Sequence, residues 1–381
     1  MPVFTSRFAF LLLIGILVTA APQTVDAEDP LIFISAFADG DEAGIHAFRL
    51  DLKSGVLKPL HRTTGVDHPF FLALSPDNKF LYSIHAPTFS GKDDEHVAGF
   101  ELVGRTGQLK PLNRQSSRGT ASCYLDVDAT GKSVLVSNYT SGSVAALPIR
   151  PDGSLGEPAS FIQHVGSSIN PARQKEPHAH CIVISPDNRF AYVADLGLDQ
   201  ILCYRLDPAT AKLTPNRQAF VRTLPGAGPR HLTFHPNGKS VYVINELTNS
   251  VTHFDYEAAT GNLYEQKTIP TLPADFTGVS HCADLKITPD GKFLYGTNRG
   301  HDSLAAYKIA DDGSLTLIEI QPSLGGGPQN LAITLGGELL ICANMPGKNV
   351  AVFRIDATTG KLASVGDPVA IPSPSCIMLV P

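Results

Sequence analysis

One pattern of residues recurs along most of this chain and restricts its fold more than any other feature of the sequence. Each copy has an apolar run, a turn of the Pro-Asp-Gly-Lys type, two further apolar runs and a Gly-x-Leu tripeptide. Six such turns, at successive spacings of 53, 57, 50, 53 and 46 residues, begin at Pro76, Ala129, Pro186, Pro236, Pro289 and Leu335. A period of this length indicates a repeat architecture, in which residues at the same offset occupy equivalent positions.

The copy at residues 181–213 shows how one repeat is expected to fold. Its apolar runs predict strands at 181–185, 190–194 and 200–206, and the segment after Thr210 leads into a fourth strand. A Pro-Asp-Asn turn separates the first two strands, because Pro fixes φ and the Asp and Asn side chains hydrogen-bond to nearby backbone. Each copy therefore predicts a four-stranded antiparallel meander, which is one blade of a β-propeller.

The third apolar run occurs seven times, although only six hairpin turns of this kind are present. The mismatch is resolved if the two ends of the chain share a blade, with the segment 376–380 pairing beside 31–35. Such pairing closes the ring and hides two sheet edges. The sequence therefore predicts an all-β fold, a seven-bladed β-propeller of four-stranded antiparallel blades. An open β-solenoid is the alternative, but its rungs are shorter than this period.

The N-terminal residues differ from the repeats and predict a secretory signal. Arg7 precedes the apolar run 8–18, small residues follow, and Val25-Asp26-Ala27 offers a second cleavage point. The apolar run is shorter than a membrane span requires, as in signal peptides. We therefore predict a signal peptide at 1–27, a propeller domain at 28–381 and export to the periplasm or beyond. An uncleaved N-terminal anchor is the alternative, and no later segment is predicted to cross a bilayer.

The charge balance excludes one class of protein, and the six cysteines show no paired motif. The formal net charge is −6 and no basic block occurs, so the sequence lacks the positive footprint of a nucleic-acid-binding domain. The six cysteines are scattered and form no Cys-x-x-Cys pair. We expect most of them to be buried apolar residues, although an oxidising compartment permits disulfides. The sequence determines neither the disulfide pattern nor the oligomeric state.

Two offsets in the repeat carry polar side chains that a purely structural repeat does not need. The first strand of each propeller blade lines the axis, and the loop before it faces one end of the channel. Six residues before the start of each turn, the sequence has Phe70, Cys123, His180, Arg230, Ala283 and Gln329. Ten residues after it, the sequence has Ala86, Tyr139, Leu196, Glu246, Arg299 and Met345. We expect both sets to surround one end of the channel.

Arg230, Glu246 and Arg299 are the strongest candidates for a site. Glu246 and Arg299 share one offset in neighbouring blades, and Arg230 lies at the start of the blade that contains Glu246. Two guanidiniums can bind a carboxylate or a phosphate in a bidentate manner. Glu246 can act as a general base or orient one. A surface salt bridge is the structural alternative.

His178 and His180 form a His-x-His pair, which places both imidazoles on one face of a strand. A proton-transferring imidazole is favoured, since His titrates near neutral pH. Zinc binding is the alternative, but a third ligand at suitable spacing is not evident, although His281 or Asp284 could supply one. We therefore predict no metal and no cofactor. A structural role is an equal alternative for His178.

The residue before the second offset is most often Asn, including Asn245 and Asn298. An Asn at a strand end usually stabilises a turn, and hydrogen bonding to a ligand is the alternative. We include Asn245, Asn298, His178 and His281 as candidate substrate-binding residues. His231, next to Arg230, is expected to support the site without touching the substrate.

Three segments carry a resemblance to a known family: Gly-Ala-Gly-Pro-Arg-His at 226–231, Asn-Glu-Leu at 245–247 and Ala-Asp-Leu-Lys-Ile at 283–287. With them, residues 30–381 resemble the seven-bladed propeller lactonases, which include bacterial 6-phosphogluconolactonase and fungal carboxy-cis,cis-muconate cyclase. The resemblance implies a metal-free hydrolase of a small sugar lactone, or a related lactone-forming cyclase.

The resemblance also implies which residues act on the substrate. The family's His, two Arg and Glu fall on His180, Arg230, Glu246 and Arg299, the residues that the repeat offsets already distinguish. Predicted export departs from the family pattern, because phosphogluconate is a cytosolic compound. An exported member is therefore expected to act on another aldonolactone or a carboxylated lactone, or to have lost catalysis. A non-catalytic binding propeller of the cell envelope is the alternative from another class. A quinone-dependent redox propeller is disfavoured by the absence of Trp.

Overall fold

A computed structural model describes residues 1–2, 29–86 and 95–380. Its strands in chain order are β1 Leu31–Ala36, β2 Gly44–Leu50, β3 Leu57–Thr63, β4 Pro69–Leu74, β5 Phe80–His85, β6 His96–Leu102, β7 Leu109–Ser116, β8 Ser122–Val127, β9 Ser133–Asn138, β10 Ser143–Pro148, β11 Ser160–Gln163, β12 Ala179–Ile184, β13 Phe190–Asp195, β14 Gln200–Asp207 and β15 Lys212–Arg222. They continue with β16 Pro229–Phe234, β17 Ser240–Asn245, β18 Ser250–Glu257, β19 Asn262–Pro270, β20 His281–Ile287, β21 Phe293–Arg299, β22 Ser303–Ile309, β23 Leu315–Pro322, β24 Pro328–Ile333, β25 Leu339–Asn344, β26 Asn349–Ile355, β27 Leu362–Ser364, β28 Val369–Ala370 and β29 Pro374–Val380. A single turn of 3₁₀-helix lies at Gly40–Glu42.

The strands form seven antiparallel sheets, each of which is one blade. Six blades follow the chain in order, as β4–β7, β8–β11, β12–β15, β16–β19, β20–β23 and β24–β27, and the short strand β28 pairs with β26. In the copy at 181–213, the four expected strands correspond to β12–β15. The prediction of four-stranded meanders is confirmed.

The seventh blade joins the two ends of the chain in the order β29-β1-β2-β3. β1 pairs antiparallel with β29, so that Leu31 lies opposite Val380 and Ser35 opposite Cys376. The innermost strands β29, β4, β8, β12, β16, β20 and β24 contact one another in this circular order. The predicted seven-bladed ring and its closure by the terminal strands are therefore confirmed.

The Gly-x-Leu tripeptide of the repeat is a contact between neighbouring blades. The Tyr192 hydroxyl on β13 donates a hydrogen bond of 2.7 Å to the carbonyl of Gly261 in the next blade. Gly261 has a φ of +74°, and a Cβ at this position would lie 2.6 Å from the Phe190 ring. Glycine is required here both because the backbone is left-handed and because the ring leaves no room for a side chain. The same bond recurs from Tyr82 to Gly153, Tyr242 to Gly313 and Tyr295 to Gly360.

The predicted signal peptide, 1–27, lies outside the described residues except for Met1 and Pro2. In the part of the chain that the structure describes, no helix has the length and apolar character needed to span a membrane. All six cysteines lie in this part, and each is buried and unpaired. The expectation that most of them serve as buried apolar residues is confirmed.

Candidate functional site

The two offsets of the repeat meet in a pocket of about 460 Å³ at one end of the ring, which we call the axial pocket. It is lined by Phe37, Phe70, Cys123, Tyr139, Thr140, Arg173, His180, Arg230, Glu246, Arg299, Gln329 and Met345. All of these residues except Phe37, Thr140 and Arg173 occupy the two offsets. The repeat therefore predicts the position of most of the lining.

A β-bulge at the start of the innermost strand accounts for the direction of these side chains. In β16, Pro229 pairs with Asn245 and His231 with the adjacent Ile244, so Arg230 has no residue opposite it. Bulges of this kind re-aim a side chain and end regular pairing. In four blades the extra residue is the one at the first offset, namely Cys123, His180, Arg230 and Gln329.

Glu246 is the centre of the charged groups in the axial pocket. Its Oε2 accepts hydrogen bonds from Arg230 Nε at 3.0 Å and from Arg299 Nη2 at 2.8 Å. Its Oε1 accepts a bond of 2.6 Å from Arg173 Nη2. Glu246 is buried, with a side-chain exposure of only 6 %. The structure thus brings Arg230, Glu246 and Arg299 together, as their offsets predict.

The surroundings of Glu246 make its carboxylate a weak base. Burial would raise the pKa of Glu246, but the charges of Arg299, Arg230 and Arg173 outweigh burial and lower the pKa to about 2. The carboxylate is therefore ionised throughout the neutral range. Because the efficiency of a general base falls as its pKa departs from the working pH, Glu246 is better suited to positioning neighbouring groups than to removing a proton from water.

Arg230 is held by a chain of buried polar groups. Its Nη1 donates to the Ala283 carbonyl at 2.6 Å and lies 3.1 Å from His231 Nε2. His231 Nδ1 lies 2.8 Å from Asp284 Oδ1. A proton on Nδ1 bonds the carboxylate, so Nε2 accepts from Arg230. The prediction that His231 supports the site agrees with this arrangement.

The protonation states of these side chains leave the axial pocket with an excess of positive charge. Burial, followed by the Arg299 charge, lowers the pKa of Arg230 to about 10, so its guanidinium stays protonated at neutral pH. Burial and the Arg230 charge lower the pKa of His231 to about 3, so this imidazole is neutral. Three guanidiniums, from Arg173, Arg230 and Arg299, therefore face the one carboxylate of Glu246. The excess of positive charge favours an anionic ligand.

His180 presents a neutral imidazole to the same pocket. Its Nε2 lies 4.0 Å from Glu246 Oε2, and its Nδ1 lies 3.7 Å from Cys123 Sγ. Burial, followed by the charge of Arg230, lowers the pKa of His180 well below 6.5. The ring is therefore in its basic form at neutral pH, and a proton taken up on Nε2 would lie beside the Glu246 carboxylate.

Two of the candidate substrate-binding residues are engaged within their own blades. Asn245 Nδ2 donates to Ser250 Oγ at 3.0 Å and to Thr252 Oγ1 at 2.9 Å. Asn298 Nδ2 donates to Ser303 Oγ at 3.1 Å in its own blade and to the Thr271 carbonyl at 2.9 Å in the connection that precedes this blade. Both amides lie outside the lining of the axial pocket. They stabilise strand ends, which is the usual role of an Asn at this offset, and we do not include them among the proposed substrate contacts.

The two candidate histidines also lie outside this lining. The His178 ring stacks on Tyr139 at 4.5 Å, and its Nδ1 lies 3.0 Å from the Tyr139 carbonyl. The carbonyl of His281 accepts a bond of 3.3 Å from Arg299 Nε. Both residues therefore support side chains of the pocket from behind. Among the described residues, no group of His, Cys, Asp or Glu side chains is arranged to hold a metal ion.

Arg173 and Tyr139 complete the charged side of the pocket, and sequence analysis did not select either as a site residue. Arg173 Nη2 donates to the Tyr139 hydroxyl at 3.1 Å as well as to Glu246. Tyr139 shares the offset of Glu246 and Arg299. Arg173 lies in the connection between β11 and β12, outside the repeat. The spacing of 57 residues between the turns at Ala129 and Pro186, the longest of the five, is the sequence signal of this insertion.

A second cleft of about 410 Å³ lies between outer strands of neighbouring blades. His61, Arg62 and Arg114 line it, together with apolar residues such as Phe100 and Leu109. Its lining contains no carboxylate, and His61 and Arg114 are exposed while Arg62 is half-buried. Buried groups of opposite charge converge only in the axial pocket among the described clefts, so we take that pocket as the candidate active site.

Comparison with known proteins identifies the family of this chain. Residues 31–379 match the family model described as lactonase, 7-bladed beta-propeller. This chain belongs to that family. The match spans every blade, including the one that joins the two ends of the chain.

Individual relatives cover nearly the whole chain. A 6-phosphogluconolactonase of Bacillus subtilis is 32% identical over 346 residues, which is 91% of this chain and 97% of that protein. A 6-phosphogluconolactonase of Formosa agariphila is 33% identical over 361 residues, with 91% and 99% covered. These relatives place the chain among the lactonases, a class of hydrolases.

Solved structures show the same similarity. A putative 6-phosphogluconolactonase from Bacteroides fragilis has a TM-score of 0.87 and 31% identity, with 95% of this chain and 100% of that one covered. A periplasmic gluconolactonase of Pseudomonas aeruginosa has a TM-score of 0.87 and 30% identity, with 92% and 99% covered.

Proposed function

We propose that the axial pocket hydrolyses a sugar lactone that carries an anionic group, in the manner of a 6-phosphogluconolactonase. The observation that carries the proposal is the bridging of Arg230 and Arg299 by one buried carboxylate, that of Glu246, beside the neutral imidazole of His180. A binding scaffold would instead be expected to present a large apolar patch at this position.

In the proposed reaction, His180 removes a proton from the attacking water. In the tautomer that carries its proton on Nδ1, beside Cys123 Sγ, Nε2 is free to accept this proton. Water oxygen bonds to the lactone carbonyl carbon, and the ring C–O bond then breaks. The proton on His180 passes to the departing ring oxygen, which becomes the hydroxyl of the hydroxy acid. Glu246, 4.0 Å from Nε2, stabilises the imidazolium in the meantime.

In this scheme, Arg230 donates a hydrogen bond to the carbonyl oxygen of the lactone. Its Nε and Nη1 are hydrogen-bonded, whereas no acceptor among the described residues reaches Nη2. A donor that is fixed before the reaction stabilises the developing oxyanion without reorganisation. Arg299, which Glu246 and two backbone carbonyls hold in place, adds the positive charge that attracts the anionic substrate. No covalent nucleophile is needed, because a lactone is already a reactive ester.

The test is a lactone panel assayed with protein that lacks residues 1–27. The panel contains phosphorylated, neutral and carboxylated lactones, and proton release reports their hydrolysis. We expect Arg230→Ala and Glu246→Ala each to lower turnover by about a hundredfold or more. Full activity in folded variants would contradict the residue roles. Hydrolysis at the buffer rate by the unaltered protein would contradict the function, and ring closure of a carboxylated hydroxy acid would indicate the cyclase alternative.

We also propose that the signal peptide predicted at 1–27 directs export. The apolar run 8–18 after Arg7 motivates this proposal, and the similar gluconolactonase of Pseudomonas aeruginosa is described as periplasmic. The test is to express the full chain in a bacterium, fractionate the cells and sequence the N-terminus of the product. Uncleaved protein in the cytosol would refute it.

A further inference from the structure

Arg173 contributes a guanidinium to the axial pocket that is only partly used within the protein. Its Nη2 donates to Glu246 Oε1 and to the Tyr139 hydroxyl. In the described part of the chain, no acceptor reaches its Nε or its Nη1, and 33 % of its side chain is exposed. Arg173 therefore retains unpaired hydrogen-bond donors at the pocket lining.

The guanidiniums of Arg299 and Arg230 have fewer nitrogens without a hydrogen-bond acceptor than that of Arg173. Arg299 engages every nitrogen, with Nε bonded to the His281 carbonyl, Nη1 to Gln329 Oε1 and Nη2 to Glu246. Arg230 is buried and has only Nη2 without an acceptor among the described residues. Arg173 is thus the arginine of this pocket with the largest remaining capacity to bind an anion.

The segment that carries Arg173 is fixed by a buried glutamine. This segment, residues 164–178, joins β11 to β12. Gln174 is completely buried, and its Nε2 donates to the Leu196 carbonyl at 2.8 Å and to Asp199 Oδ1 at 2.7 Å. Its Oε1 accepts a hydrogen bond of 3.0 Å from the backbone N–H of Asn170. Arg173 is therefore presented by an anchored segment, directly next to its anchor.

Asp199, the carboxylate that Gln174 binds, also fixes the turn before Arg230. Asp199 accepts hydrogen bonds from the amides of Gly226 at 2.6 Å and Gly228 at 2.8 Å, in the turn that leads into Arg230. One carboxylate thus holds both the segment of Arg173 and the turn before Arg230. Because the two guanidiniums are positioned by a shared support, the separation between them is set before a ligand binds, which favours recognition of two groups on one substrate.

We propose that Arg173 is a specificity-determining residue that binds the phosphate or carboxylate substituent of the lactone, while Arg230 contacts the reacting carbonyl. The guanidinium fork suits this task because its planar donors match the oxygens of both anions. This inference rests on the proposed function for the identity of the substrate. A purely structural role, in which Arg173 only holds Glu246 in place, makes a different prediction.

The kinetic test compares a charged and a neutral lactone that share the same six-membered ring and differ by one phosphate group. Arg173→Gln is assayed with 6-phosphoglucono-1,5-lactone and with glucono-1,5-lactone. We expect the ratio of kcat/KM for the charged lactone over the neutral one to fall about tenfold or more, chiefly through KM, and Arg173→Lys to recover part of it. If kcat/KM falls by the same factor for both lactones, Arg173 acts only through Glu246 and the proposal is overturned.

Arg189→Gln is the matched control. This arginine is paired with Asp187, is 53 % exposed and lies just before β13, at the opposite end of that strand from the pocket. Its replacement removes the same charge and is expected to leave the ratio unchanged. A fall in the ratio in this variant would show that net charge alone decides the preference, and would overturn the assignment to Arg173.

A binding measurement separates this inference from the proposed function. Titration calorimetry with 6-phosphogluconate and with gluconate requires no turnover. We expect the unaltered protein to prefer 6-phosphogluconate, and Arg173→Gln to lose that preference. If this occurs in a protein that hydrolyses no lactone, the proposed function fails and the anion site stands. If the variant binds 6-phosphogluconate as tightly as the unaltered protein, or if the unaltered protein shows no preference, the inference fails.

Discussion

Replacing Glu246 with Gln tests whether one carboxylate holds the arginines of the axial pocket together. Burial would raise the pKa of Glu246, but the charges of its arginine partners lower the pKa from 4.5 to about 2. Because one pKa unit corresponds to about 1.4 kcal/mol, the ionised carboxylate contributes about 3 kcal/mol to folding at neutral pH. We therefore expect Glu246→Gln to lower the free energy of unfolding by about 3 kcal/mol at pH 7, in line with the cost of breaking other buried ion pairs.

The pH dependence of this loss follows from the direction of the shift. The pKa of Glu246 is lower in the folded state than in the unfolded state, so the stabilisation is complete above pH 4.5 and is lost as the pH falls towards 2. The difference between the unaltered protein and Glu246→Gln should therefore shrink to about 1.4 kcal/mol at about pH 3.

Urea unfolding at both pH values measures the effect. Tyrosine fluorescence and circular dichroism are suitable signals, because the chain has 10 Tyr and no Trp. Glu101→Gln is the control, since Glu101 pairs with Lys110 at 3.0 Å on the surface and is 45% exposed. Its replacement is expected to cost less than about 1 kcal/mol. A loss for Glu246→Gln that is equally small, or that does not change with pH, would refute the reasoning.

Two further predictions concern the proposed base and the contacts between blades. Burial and the Arg230 charge lower the pKa of His180 below 6.5, so kcat should stay constant as the pH falls to 6.5 and decrease only below it. A pH–rate profile with its acid limb at or above pH 6.5 would exclude His180 as the base. Gly261→Ala should cost about 2 kcal/mol or more, because the new Cβ meets the Phe190 ring at 2.6 Å and φ is +74°. Gly238→Ala, with a φ of +66° and open space, should cost only about 1 kcal/mol in urea unfolding, and equal costs would contradict the role of the ring.

The repeat in the sequence predicts both the architecture and most of the pocket. A turn about every fifty residues specifies the hairpins. The third apolar run occurs once more than the turns do, and this extra strand specifies how the ring closes. Equivalent offsets then predict that Arg230, Glu246 and Arg299 lie together, because each blade places the same offset at the same end of the axis. The contacts of Glu246 with both arginines are consistent with this reasoning.

The repeat has no means of predicting residues that lie outside it. Arg173 comes from an inserted segment, so its offset has no counterpart in the other blades, and its contact with Glu246 depends on how Gln174 anchors that segment. Asn245 and Asn298 share a suggestive offset, yet their amides bond to groups in their own blades. Whether a polar side chain at a strand end faces the pocket or the blade depends on partners that are distant in sequence.

The sequence by itself determined the number of blades, the pairing of the two ends and the set of offsets that surround the axis. All three follow from the spacing of the turns and from the one third strand that has no hairpin turn of its own. Only the tertiary structure decided the chemical character of each group. The low pKa of Glu246, the neutral state of His180 and the donors left on Arg173 result from burial and from charges on other blades. Such interactions act across space between residues many positions apart, and for that reason no local pattern of residues encodes them.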